Sequence, residues 1–485
     1  MPAGVRLGKG LDFLMGPMPN RQELTARLAP FKQEHLLRFW DELDDAGRRR
    51  LASQIQAIDF EQICQLAQQG ASTQDWAAMS RRATPPPAMR LADRDGGRKI
   101  AADARARGAA ALAAGEVGVL MVAGGQGSRL GFDHPKGMYS IGPVSRVSLL
   151  QIHFEKALAT AREYGAAVPI YMMTSPVTHD EQAEYLEKHG RFGLPADDVV
   201  LFCQGTMPAV DAKTGNLLLG DKDSLFLSPD GHGGTVAALA ASGAIEHMRR
   251  RGIRHLFYFQ VDNPLVPIAD PEFIGHHLLA NSELTSMAVA KQTPQDRLGV
   301  FAMIDGQLQV IEYSDLPDDV ASKCVAEGSL EFWAGSIAVH MFSVTFLERA
   351  LALKDALPFH IARKKVPYLN DEGHTVEPSE SNALKFERFI FDLLPAAKNP
   401  FVVEYAEADV FAPLKNAAGA SRDTPEYVHE FMMAQHRKWL RAAGTKISDD
   451  VPVEVGPLWA LDAEAVASRS DRPASIDSPT YLSGR

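Results

Sequence analysis

Two periodicities divide the chain. From residue 20 to about 78, apolar residues recur every three to four positions. Leu36, Leu37, Phe39, Trp40 and Leu43 are followed by Leu51, Ile55, Ile58 and Phe60, the spacing of amphipathic helices. Three consecutive prolines then interrupt residues 81–90, which read as a stiff extended connector. From residue 99 to about 400, short β-rich apolar runs alternate with longer helical ones, as in a mostly parallel α/β sheet. Residues 117–123 read as the first buried strand, 148–163 as a helix, 168–173 as a strand, and 178–189 as a helix opened by a Thr178/Glu181 capping box. Residues 255–261 are again strongly β. Residues 299–304 and 307–313, joined at Asp305-Gly306, have hairpin chemistry, so the sheet is mixed. A strand at 401–405 and a helix at 425–443 suggest a small appended lobe, and the Pro- and Ser-rich stretch after 466 a flexible tail. The expected organisation is a helical N-terminal region (1–95), an α/β domain with helices on both sheet faces (96–400), a C-terminal lobe (401–466) and a tail (467–485).

Composition narrows the chemistry. The 485 residues are 46% hydrophobic and 23% charged, ordinary globular usage that excludes collagenous, coiled-coil and wholly disordered chains. A formal charge of -11 argues against nucleic acid as a partner, so an anionic substrate must meet locally placed cations. Cys64, Cys203 and Cys324 are too few and too scattered for a disulfide framework or a Cys-based zinc site. With no run of secretory or membrane-spanning apolar length, the expectation is a cytoplasmic protein without a membrane partner.

The first strand runs into Gly124-Gly125-Gln126-Gly127-Ser128-Arg129-Leu130-Gly131. Glycines after a buried strand let backbone amides approach a phosphate or base without a Cβ in the way. The loop lacks the Gly-Lys-Ser/Thr ending of a P-loop and the G-x-G-x-x-G spacing of dinucleotide sites. It carries Arg129 instead, with Lys136 seven residues further on, two cations suited to a triphosphate. A nicotinamide dehydrogenase is disfavoured further by Thr174-Ser175, where an acidic residue should end the next strand. Adjacent His276 and His277 point apart on a helix and read as structural, and Ser148, His153 and Asp180 form no nucleophile constellation. Asp262 follows a long buried strand, where α/β sheets bind ligands.

The segment VAGGQGSRLGFDHPKGM resembles the activating loop of the UDP-sugar pyrophosphorylases, most closely the eukaryotic-type UDP-N-acetylhexosamine pyrophosphorylases. Further segments match in the same order: Gln204-Gly205 with Met207-Pro208, Pro229 to Gly234 (PDGHGG), Val261 to Leu265 (VDNPL), Glu312-Tyr313-Ser314, Pro358 to Ala362 (PFHIA), and Pro413-Leu414-Lys415-Asn416. The resemblance implies a nucleotidyltransferase-type α/β fold that makes a UDP-sugar and pyrophosphate from UTP and a sugar 1-phosphate, with Mg²⁺. It implies that Val122, Ala123, Gly124 and Gly125 hold the uridine and approach the phosphates, that Lys136 meets UTP phosphate, and that Gln204 and Gly231 read uracil and ribose. Asp262 is implied at the metal and nucleotide, and Glu312 and Tyr313 at the sugar, with His232, Asn263 and Ser336 beside them. Lys385 and Lys415 match the family's two late lysines.

For transfer of a uridylyl group between two polyanions, cations and a metal suffice. The expected roles are Arg129 and Lys136 on the leaving pyrophosphate, Lys385 on the α-phosphate, Lys415 on the sugar phosphate and Asp262 on Mg²⁺. Residue type alone would leave Glu312, Lys385 and Lys415 as solvated surface groups; their assignment follows from the resemblance. Two positions depart from the hexosamine enzymes. His232 replaces their usual Asn and looks like the GHG of glucose-type enzymes, and Ser336, with a shorter reach, replaces an Asn that helps read the sugar. N-acetylglucosamine 1-phosphate is the first expected substrate, with glucose or galactose 1-phosphate as the alternative. A silent UDP-sugar-binding regulator is disfavoured because Arg129, Lys136, Asp262, Lys385 and Lys415 are all present.

Overall fold

Apolar runs that are buried on both faces build the centre of the molecule. The computed structural model describes residues 20–69, 75–96, 98–325, 328–353 and 357–484. Eight strands form the path of the main sheet: β1 (Ala88–Met89), β2 (Val117–Val122), β3 (Ile170–Thr174), β4 (Val199–Cys203), β5 (His255–Gln260), β6 (Leu284–Ala290), β7 (Ala334–Ser343) and β8 (Phe401–Tyr405). Their order is β1-β8-β6-β7-β5-β2-β3-β4. Every neighbouring pair is parallel except the two made by β7, which runs antiparallel to both β5 and β6. The predicted hairpin, Val300–Ile304 with Gln307–Ile311, joins this sheet through Gly335. Asp305 and Gly306 both take positive φ at its tip (49° and 82°), as a tight two-residue turn requires.

The sequence of β2 explains why the sheet is covered on both sides. Val119 and Met121 pack into one core with Leu150 and Phe154 of the Leu149–Tyr164 helix, whereas Leu120 belongs to the opposite core with Met248 and Tyr258. A strand buried on both faces is hydrophobic without alternation. Each large side chain fully buried in this way contributes roughly 1.5–3 kcal/mol. The carboxyl ends of β2, β3, β4 and β5, adjacent and parallel, open on one edge of the sheet, where ligands bind in such folds.

Three expectations need correction. The boundary expected near residue 95 does not separate two cores: Leu24, Leu51, Ile55 and Phe60 share a cluster with Val210, Leu219, Leu384 and Phe386. The proline connector contributes β1 to the central sheet, and β8 lies beside β6 rather than in a separate lobe. The third correction concerns the tail, which is packed. Ser475–Ile476 pairs with Lys446–Ile447, and Thr480–Leu482 pairs with Val453–Val455. Ile476 and Leu482 supply the apolar anchors that the surrounding Ser and Pro residues conceal, and Ile476 joins Leu440 and Trp459 in a small core.

Because Ile476 is buried, Ile476→Ala is expected to lower stability by about 2–4 kcal/mol. Urea unfolding checks this, and an unchanged midpoint would mean that the tail does not hold the fold.

Candidate functional site

The glycine loop folds back on itself. The Gly127 amide donates to His134 O (2.9 Å) and the Lys136 amide to Gly125 O (3.0 Å), so the seven-residue gap between Arg129 and Lys136 closes into a compact turn. Two buried side chains brace it from behind. Ser175 Oγ donates to Gly124 O (2.8 Å), and Gln182 Nε2 donates to Ala123 O (2.9 Å). Neither residue stood out in the sequence, since each is a lone polar residue beside a strand or on a helix. Thr178 does not form the predicted capping box. Its hydroxyl accepts from the Ser175 amide (3.1 Å), while Glu181 pairs with His134 (2.5 Å).

At Gly124 an added Cβ would lie 3.3 Å from Gln204 Oε1, whereas Gly125 faces open space. The loop and the buried Gln204, just beyond β4, therefore form two sides of one cleft. Gly231 has φ +83°, and a Cβ there would sit 2.4 Å from Arg388 O, so its backbone is clasped by the chain just beyond Lys385. Asp230, beside it, is a buried carboxylic acid pushed up to about 6 by burial, with Arg388 pulling it down. Neither Asp230 nor Arg388 was singled out from the sequence.

Asp262 follows β5 and meets Lys136 across the mouth of β2, with Nζ and Oδ2 3.5 Å apart and both side chains largely enclosed. Next to this pair lies a cavity of about 230 Å³, lined by His232, Asp262, Asn263, Glu312, Tyr313, Ser336 and Lys415. These residues come from five separate segments of the chain. A bulge in β7 helps to shape the cavity: the pairing skips from Met287–Val339 to Ala288–Ser336, and Ala338 takes φ 54°. Such bulges re-aim side chains.

The electrostatics of the cavity follow from burial. The His232 ring is held neutral, its pKa pushed down to about 4 by burial and further by the charge of His360. Its Nδ1 accepts from the Ile390 amide (3.1 Å), which leaves Nε2–H as the donor of the neutral ring. Burial raises the Glu312 carboxyl, Asp315 adds to the rise, and His360 and Lys415 oppose it. His360 itself bonds Asp392 (2.7 Å). A dyad so close to the cavity was not read from the sequence, because Asp392 lies far along the chain from His360.

Three of the expected residues have partners or surroundings of their own. The Asn263 side chain is already engaged: it donates to Val410 O (2.8 Å) and accepts from the amides of Ala412 (3.1 Å) and Leu265 (3.3 Å). Although it lines the cavity, it acts first as a brace between two loops. Lys385 is half-buried on Ala383–Glu387, a strand of a separate three-stranded sheet, with its ammonium over the Phe226 ring, and does not line the cavity. Burial lowers its pKa, with Glu387 opposing. Arg129 is exposed on the turn Ser128–Leu130. As to a metal, Asp262 is one enclosed carboxylate facing the cleft, and no cluster of three or more His, Cys, Asp or Glu side chains with ligand geometry exists among the described residues. A single enclosed carboxylate of this kind could hold a divalent cation only together with ligands from outside the chain.

Known proteins resemble this chain in sequence and fold. The profile of the family described as UTP–glucose-1-phosphate uridylyltransferase matches residues 60–465. Human UDP-N-acetylhexosamine pyrophosphorylase-like protein 1 is 35% identical over 475 residues, covering 94% of this chain and 92% of its own length. The UDP-N-acetylglucosamine pyrophosphorylase of Saccharomyces cerevisiae is 38% identical over 355 residues, 72% of this chain and 74% of its own. The crystal structure of the uridine diphosphate N-acetylglucosamine pyrophosphorylase from Trypanosoma brucei, in complex with an inhibitor, superposes with a TM-score of 0.82 at 26% identity, covering 97% of this chain and 99% of that one. Matched by that family over residues 60–465 and aligned along most of its length with these relatives, the chain belongs to the UTP–glucose-1-phosphate uridylyltransferase family, enzymes that join UTP to a sugar 1-phosphate.

Proposed function

We propose that this uridylyltransferase makes UDP-N-acetylglucosamine from UTP and N-acetylglucosamine 1-phosphate, with Mg²⁺, in the cytoplasm. The observation that carries the reading is that one cavity joins the phosphate-facing Asp262 to the candidate sugar residues His232, Glu312 and Ser336. The names of the human and yeast relatives support the choice of sugar, and three unpaired cysteines suit a reducing compartment.

A phosphate oxygen of the sugar 1-phosphate attacks the α-phosphorus of UTP, the bond to the β-phosphate breaks, and pyrophosphate leaves on the opposite side. The nucleophile is already an anion, so no protein base is required. What the chain must supply is alignment of two polyanions and stabilisation of the charge that grows on the leaving oxygens. Gly124 and Gly125 admit the nucleotide beside Gln204, and Gly231 completes the nucleoside side. Lys136 and Arg129 attract the leaving pyrophosphate, Lys385 the α-phosphate and Lys415 the sugar phosphate. When bound, Mg²⁺ neutralises phosphate charge and is held on the protein side by Asp262. The His232 Nε2–H suits an acceptor on the sugar, and the Glu312 carboxylate a hydroxyl.

A second reading has support of its own: the imidazole of His232 and the short hydroxyl of Ser336 favour glucose or galactose 1-phosphate. Pyrophosphate release with UTP, Mg²⁺ and, in parallel, N-acetylglucosamine, N-acetylgalactosamine, glucose or galactose 1-phosphate separates the two. N-acetylglucosamine 1-phosphate is expected to give the highest kcat/KM; a higher value with glucose 1-phosphate would establish the alternative. Lys136→Ala and Asp262→Asn are each expected to lower kcat about 10²-fold or more while the protein stays folded. Retained activity in either variant would remove that residue from the reaction. Asn263→Ala is expected to reduce stability by about 1–3 kcal/mol, because it leaves the Ala412 amide and Val410 carbonyl without their buried partner. Its kcat is expected to fall more than its KM for sugar phosphate rises, since the brace aligns Asp262 with Lys415. A large KM increase at unchanged kcat would instead make Asn263 a direct sugar contact.

A further inference from the structure

The segment that carries Asp262 is held from behind by one helix. Within Leu149–Tyr164, His153 and Lys156 lie one turn apart and face the same loop. His153 Nε2 lies 2.9 Å from Val261 O, and its ring is kept neutral by burial, so this nitrogen donates. Lys156 Nζ donates to Pro264 O at 2.6 Å and to Val266 O at 2.8 Å. No carboxylate forms an ion pair with this ammonium among the described residues. A half-buried lysine whose amine end is enclosed without a counter-ion is unusual. Its two acceptors are carbonyl dipoles from positions 264 and 266, and Asp262, Asn263 and Val266 all line the substrate cavity. Lys156 also lines a second cavity of about 440 Å³, beside Leu265, Gln435 and Trp439.

We propose that Lys156 is a positioning residue for uridylyl transfer: by clamping the carbonyls of Pro264 and Val266, it fixes the height of Asp262 opposite Lys136. This rests on the function proposed above. A lysine that served only to fill space would be better replaced by a hydrocarbon, because burying an ammonium is unfavourable unless its hydrogen bonds matter. The two donor–acceptor distances, 2.6 and 2.8 Å, are short, and burial pushes the Lys156 pKa down to about 7, so the amine donates to these carbonyls in either protonation state. Lys156 touches neither substrate nor metal in this account; it acts through the backbone that presents Asp262. Cutting Lys156 back to alanine would extend the second cavity, which Lys156 lines, toward the same two carbonyls.

The test compares wild type with Lys156→Met, which keeps the bulk and removes the donors, and Lys156→Ala, which opens the space to the cavity. Hydrogen exchange of the peptide spanning residues 261–269 is measured alongside kcat, KM and the melting temperature. Both variants are expected to melt cooperatively and to lose kcat by roughly ten- to a hundredfold, as displacement of a reacting group by about 1 Å does. KM for sugar phosphate should change less than kcat, and exchange at 261–269 should quicken. Propylammonium added to Lys156→Ala is expected to restore part of kcat and to slow exchange in that peptide, and to do neither in Lys156→Met. Unchanged kcat and exchange in Lys156→Met overturn the proposal. So does a loss of kcat that tracks only a lower melting temperature and that propylammonium does not relieve. A wild type that turns over no sugar 1-phosphate refutes the proposed function instead, and the exchange measurements still decide whether Lys156 holds the loop.

Discussion

The site depends on one junction between two loops that are far apart in sequence. Asp262 and Lys415 can face a common cavity only because the chain after β5 is tied to the chain after β8. The Leu414 amide donates to Asp262 O (2.8 Å), and Asn263 bonds Val410, Ala412 and Leu265 at once. These polar groups are buried, so each must find a partner, and the requirement leaves the two loops little freedom to separate. Slackening this junction would leave both charges in the protein but no longer in register.

Charge placement explains how an acidic chain handles polyanions. The net charge of -11 would repel UTP at a distance, yet the cations that matter sit in or around one cleft. Lys136 is enclosed and paired with Asp262, Lys415 lines the cavity, and Arg129 stands exposed on the glycine loop. In the proposed reaction the Lys136–Asp262 pair holds opposite charges for different tasks: the ammonium would meet phosphate, and the carboxylate would hold a metal. Preorganised charges of this kind need little reorganisation during the reaction.

Much of this was legible in the sequence, for identifiable reasons. The strands β2, β3 and β5 are buried on both faces and so read as apolar runs, and Asp305-Gly306 announced its hairpin through the φ values that only such residues adopt readily. The glycine loop and its cations were visible because phosphate chemistry needs those residue types. Contacts between distant segments left no local trace. Ser175 and Gln182 brace the loop, and Asp392 pairs with His360, with nothing in their neighbourhoods to mark them. The resemblance placed Asn263 at the sugar, but only the fold shows its amide engaged by residues 410 and 412. The tail misled because Ile476 and Leu482 are few among Ser and Pro, and two anchors are enough to dock a strand.

The central claim is that the chain aligns two anions for direct attack and contributes no covalent intermediate. Exchange of labelled pyrophosphate into UTP tests it most directly. The account predicts that label enters UTP only when a UDP-sugar, or UTP together with a sugar 1-phosphate, is present. Exchange into UTP with enzyme and metal alone would require a uridylyl-enzyme and would contradict the account.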